Sequence, residues 1–110
     1  MRFLMTTKAN GAAAPDEAVY AEMAKLVEEM TQAGVLLATG GLDPVGVHVT
    51  ATDGTMTVTD GPFAEAKEAI VSFALIEARS QEEAIELSRR FWKVVGSGEG
   101  NIQQVFGPED

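Results

Sequence analysis

Two side chains in this sequence pair an acid–base group with a setting that could use it. Asp60 stands directly before Gly61-Pro62, and His48 is the only histidine. A carboxylate ahead of a Gly-Pro turn can fix the loop by accepting backbone N–H bonds. It can equally serve as an acid or base if the turn borders a ligand. His48 has the same two readings: a hydrogen-bonded strand residue, or a proton shuttle working near neutral pH. Around them, Thr59 and Phe63 are candidates for ligand contact, and Lys67 for holding a substrate carboxylate at the mouth of a cleft. The local alternatives are a strand hydroxyl for Thr59, a core or interface plug for Phe63, and pairing of Lys67 with Glu65 or Glu68 in a solvated turn.

Other chemistries are disfavoured. The chain has no cysteine, which removes thiolate catalysis, disulfides and Cys-based zinc sites, and fits a reducing, cytoplasmic compartment. No second histidine or carboxylate cluster has ligand spacing, so no metal is expected. The Gly96, Gly98 and Gly100 run follows a helix, the wrong context for a phosphate loop, and no cofactor is expected. A net charge of -9, from 17 acidic and 8 basic residues, argues against nucleic-acid and membrane partners. The apolar stretch after Arg2 is too short for a signal or membrane helix and reads as a strand.

The elements that must position these residues follow from local patterning. Residues 2–8 read as an extended segment and 10–14 as a small-residue connector. Pro15 suits the first turn of a helix, with Asp16 and Glu17 at its positive end. Val19, Met23, Leu26, Met30 and Ala33 recur at helical spacing, and Gly34 is a left-handed stop. Residues 35–38 read as a buried strand that ends at Thr39, Gly40 and Gly41, before an Asp43-Pro44 turn. Asp53-Gly54 is a strong two-residue hairpin signal. In that register Thr52 pairs with Thr55, Thr50 with Thr57 and His48 with Thr59, a hydroxyl-rich side. Val49 with Val58 and Ala51 with Met56 form an aliphatic side, which must pack on something because a lone ribbon is marginal.

Residues 64–68 read as a helical turn and 69–77 as a central strand. Ser80 and Glu83 fit a capping box. Ala84, Leu87, Phe91 and Val95 follow at helical spacing, widened by Ile85 and Trp92. Core packing is the default for Trp92 and Tyr20. The three glycines end the helix in a flexible loop, and residues 102–106 form a last strand. The order β-α-β, hairpin, β-α-β implies one α+β domain over residues 1–110, a ferredoxin-like antiparallel sheet. Two helices leave one face of that sheet uncovered, and a homodimer is the expected remedy.

The run Thr57-Val58-Thr59-Asp60-Gly61-Pro62-Phe63-Ala64-Glu65-Ala66-Lys67-Glu68 resembles the signature of the DGPF branch of the YCII-related family. The opening Met1-Arg2-Phe3-Leu4-Met5, the strand around Ile70 to Ile76, Glu83-Ala84-Ile85-Glu86 and the tail through Gln104-Val105-Phe106 resemble it too. The resemblance implies a dimeric α+β barrel fold. It also implies a pocket in which an Asp, here Asp60, works with a His. Relatives carry that His early in the first helix, where this chain reads Asp16-Glu17-Ala18-Val19-Tyr20-Ala21-Glu22, so His48 would have to substitute. Two functions follow: a small organic ligand bound near the signature with cofactor-free acid–base chemistry, or a non-catalytic regulatory or protein-interaction module. The second is suggested by the family's association with sigma-factor loci.

Overall fold

The computed structural model describes residues 1–8, 16–43, 45–60 and 69–108. Its elements are β1 (Arg2–Lys8), α1 (Glu17–Gln32), β2 (Leu36–Gly41), β3 (Val47–Thr52), β4 (Thr55–Asp60), β5 (Ile70–Glu77), α2 (Gln81–Val95) and β6 (Gly100–Val105). Four strands form an antiparallel sheet in the order β2-β5-β1-β6. Without the hairpin, that is the split βαβ order of a ferredoxin-like fold, as the element order predicts. The β3–β4 hairpin is inserted between the two halves and makes a sheet of its own.

Each helix begins where its polar cap dictates. Asp16 is the N-cap of α1, and its Oδ1 accepts from the Val19 N–H at 2.9 Å. The helix thus starts at Glu17, after Asp16, so its first turn does not include Pro15, where the sequence pattern places it. Gly34, at φ 75°, ends it as the sequence suggests. Ser80 caps α2 by accepting from the Glu83 N–H at 3.1 Å. Glu83 reaches back one residue further than a capping box requires, accepting from the Arg79 N–H and Nε. These side-chain and backbone hydrogen bonds from Arg79 hold its carboxyl below the usual carboxylate range.

The core lies between the two helices and one face of the large sheet. Phe3 and Ile76 pair across β1 and β5, and Leu26, Met30, Leu36 and Ala84 close over them. Ile76 is fully buried. Strand alternation puts Phe3, Met5 and Thr7 in phase on this face, matched by Ile76, Ala74 and Ser72. Leu4, Leu75 and Val105 take the opposite phase and stay only half-buried. No other described element packs substantially against them.

Two boundaries differ from the sequence reading. β2 does not stop before Thr39; it continues through Gly40 and Gly41, which pair with Phe73 and Ser72. A Cβ at Gly40 would come within 3.2 Å of the Phe73 ring, so the glycine admits close packing instead of ending the strand. Gly100 is not loop but the first residue of β6, opposite Thr7. A Cβ there would lie 1.9 Å from the Thr6 carbonyl oxygen, so only glycine fits. The helical turn expected over residues 64–68 falls outside the described residues.

The hairpin register is the one read from Asp53-Gly54: His48 with Thr59, Val49 with Val58, Thr50 with Thr57, Ala51 with Met56 and Thr52 with Thr55. Asp53 and Gly54 both have positive φ, 50° and 80°, as a type I′ turn demands. Among the described residues, none covers the aliphatic side. Val47, Val49, Met56 and Val58 are 54%, 47%, 62% and 52% exposed, so whatever packs there comes from outside the described fold.

Candidate functional site

A cleft of about 370 Å³ opens between α1, α2 and the helix-facing side of the sheet. Its size falls within the roughly 300–1,000 Å³ of small-molecule sites. The geometry follows from side-chain lengths. Thr7, Ser72, Gly40 and Gly41 are small, and they sit together at one end of the sheet. There the helix side chains do not reach the strands. Toward the other end, Phe3, Ile76 and Leu36 fill the same layer and close it.

The walls are mostly apolar. Met23, Leu26, Val27 and Met30 come from α1, Leu87 and Phe91 from α2, and Met5, Leu36 and Ala74 from the sheet. Polar groups are few and grouped. Thr7 Oγ1 and Ser72 Oγ hydrogen-bond each other across β1 and β5. Thr39 Oγ1 donates to the Phe73 carbonyl at 2.9 Å. Tyr20 stands at the rim, 61% exposed, and is not the core residue its helical position suggests. Trp92 packs edge-on against Phe91 with ring centroids 5.2 Å apart, outside the cleft wall. Among the described wall residues there is no carboxylate, ammonium, guanidinium or imidazole.

The residues singled out from sequence lie elsewhere or outside the described part. His48 and Thr59 face each other across the hairpin, both exposed, and neither lines the cleft. Asp60 ends β4 opposite Val47, out of phase with His48, and its side chain lies outside the described part, as do Phe63 and Lys67. One copy therefore does not bring His48 and Thr59 to the cleft. Sequence reasoning missed Thr7 and Ser72, although a signal exists. Each is a hydroxyl in phase with the inward residues of an otherwise apolar strand, and such a residue needs a partner or a cavity.

A family model for the YCII-related domain matches residues 1–99. The chain belongs to the YCII-related family. This family member is 34% identical over 76 residues to an uncharacterized protein of Rhizobium meliloti (strain 1021), a match covering 67% of the chain and 61% of that protein. The chain thus spans about three fifths of the length of the curated relative it matches. The fold is similar to that of 5-chloro-2-hydroxyhydroquinone dehydrochlorinase from Burkholderia phenoliruptrix, solved in complex with 2,5-dihydroxybenzoquinone. The TM-score is 0.55 at 18% identity, covering 99% of this chain and 97% of that one. At that identity the likeness establishes the shared fold. No helix among the described residues is long and apolar enough to cross a membrane.

Proposed function

We propose that this YCII-related domain binds a small organic molecule in the cleft between α1, α2 and the sheet. The observation that carries the reading is the cleft itself: an apolar space of ligand size with its few polar groups gathered at one end. The dehydrochlorinase of similar fold, solved with an organic ring compound, is consistent with it. Chemistry on the bound molecule would fall to groups beyond the described wall, because Tyr20 is the only titratable group there. Asp60 is the candidate acid–base group and His48 its candidate partner, with Thr59, Phe63 and Lys67 as candidate contacts. No cofactor is invoked.

The working unit on this reading is a homodimer. The support is the half-buried outer phase of the sheet, Leu4, Leu75 and Val105, together with the exposed aliphatic side of the hairpin. A second copy can cover both.

The five methionines give a direct test. Met5, Met23 and Met30 line the cleft, whereas Met56 is on the hairpin and Met1 at the terminus. With methyl-labelled methionine, titration of small ring alcohols should shift the three cleft resonances and leave those of Met56 and Met1 in place. Shifts confined to Met56, or none at all across such a panel, would remove the cleft as the binding site.

A further inference from the structure

The cleft reading can be taken to a ligand class by counting what its polar end offers. We infer that the cleft selects uncharged molecules and reads one hydroxyl group through the Thr7–Ser72 pair, so that its natural ligand class is a neutral, hydroxylated ring. This rests on the proposed ligand-binding role of the cleft.

Each hydroxyl carries one donor and two acceptor positions. The Thr7–Ser72 bond uses one donor and one acceptor, leaving one O–H and three lone pairs between two neighbouring oxygens. Thr39 spends its donor on the Phe73 carbonyl and adds only acceptors. Among the described wall side chains, the polar end is therefore rich in acceptors and holds a single free donor. A ligand hydroxyl matches that inventory, since it donates to a lone pair and accepts from the free O–H. A carboxylate does not. It needs several donors or a cation, and the described walls have no charged side chain. Moving an ion into an apolar space without either is strongly unfavourable. The rest of the wall suits a ring: Met5, Met23 and Met30 are flexible, polarizable thioethers, and Phe91 adds an aromatic face.

This ordering opposes the one expected if Lys67 held a substrate carboxylate, so the two are separable. Three probes of nearly equal shape suffice: 4-methylphenol, 4-methylbenzoate and toluene, titrated at neutral pH on the native protein and on Ser72→Ala and Thr7→Val. The phenol should bind about tenfold or more tighter than the benzoate. Each substitution should weaken the phenol by roughly five- to tenfold, the scale of one hydrogen bond, and leave toluene unchanged. Both variants remove a hydroxyl at near-constant shape, and unchanged toluene affinity would report an intact cleft. Benzoate binding as tightly as the phenol, or better, overturns the selection for neutral ligands while the cleft stands as a binding site. Equal weakening of phenol and toluene overturns the hydroxyl readout and makes the pair structural. If none of the three binds, the ligand-binding reading fails and the inference falls with it.

Discussion

If the space beside Ala74 is a binding cleft and not a tightly packed core, filling it should stabilise the protein. Ala74 lies on β5 between Met5 of β1 and Thr39 of β2, half-buried at the edge of the core, with its side on the cleft. Ala74→Leu adds about three carbons, worth at most about 2.4 kcal/mol at roughly 0.8 kcal/mol per buried methylene. Ordering the leucine returns about 0.5–1 kcal/mol of that. The net expectation is a gain of about 1–2 kcal/mol, the usual range for a filled cavity. For a domain of this size that is a rise of about 5–10 °C in melting temperature. Thermal and urea unfolding measure it, and the same variant should lose the methyl shifts that ring alcohols cause at Met5, Met23 and Met30. The opposite sign is decisive. In a closed core an extra side chain forces neighbours off their rotamers and costs about 1–3 kcal/mol. A melting temperature below that of the parent would mean the space is not there, and the proposed function would lose its basis.

Two more expectations concern assembly and backbone spacing. Val49→Lys with Met56→Lys should convert a dimer to monomers in sedimentation experiments without lowering far-UV ellipticity, because both residues are exposed in one copy and a stable interface needs roughly 1,200 Å²; a parent protein that is already monomeric refutes the dimer. Gly100→Ala should cost about 2 kcal/mol or more, because its Cβ would collide with the Thr6 carbonyl, whereas Gly54→Ala, with nothing within 4 Å, should lose only about 1 kcal/mol to its positive φ. The reverse ranking in urea titrations would show that space at the β1–β6 pair is not what excludes a side chain at position 100.

The parts of the fold set by local chemistry were legible in the sequence. Asp53-Gly54 admits one tight turn type, and a two-residue turn leaves a single register, so every cross-strand partner from Thr52–Thr55 to His48–Thr59 followed. Ser80 marks the start of α2 for the same local reason, while Asp16 and Glu17 point only to the positive end of α1 and Asp16 turns out to be its N-cap. What depends on distant packing was not legible. Gly40 and Gly41 look like a strand end. Their role as strand residues depends on how closely Phe73 and Ser72 of β5 approach. The cleft is harder still, since its polar end joins Thr7 and Ser72, 65 residues apart in sequence. A search for charged or titratable residues looks past it, because its described walls have no charge. That search led to His48, which the structure leaves exposed on the hairpin.

The signature and the cleft are nonetheless linked through chain connectivity. β2 ends at Gly41 and β5 starts at Ile70, and the paired residues Gly41 and Ser72 mark the end of the sheet where the chain leaves for the hairpin and returns from it. Asp60, the first residue of the DGPF run, closes β4, and the stretch after it leads directly into the strand carrying Ser72. Two residues after that strand begins comes the hydroxyl that pairs with Thr7. The start of β5 on that return path therefore carries Ser72, one member of the Thr7–Ser72 pair at the polar end of the cleft. Asp60, at the end of β4, has two candidate roles: fixing the chain that follows it, or acting on a molecule in the cleft. These alternatives separate in one comparison. Asp60→Asn keeps an acceptor for backbone N–H groups but removes the charge. If Asp60 serves only the turn, the variant should match the parent in both stability and ligand turnover; if it acts on a bound molecule, stability should hold while turnover falls.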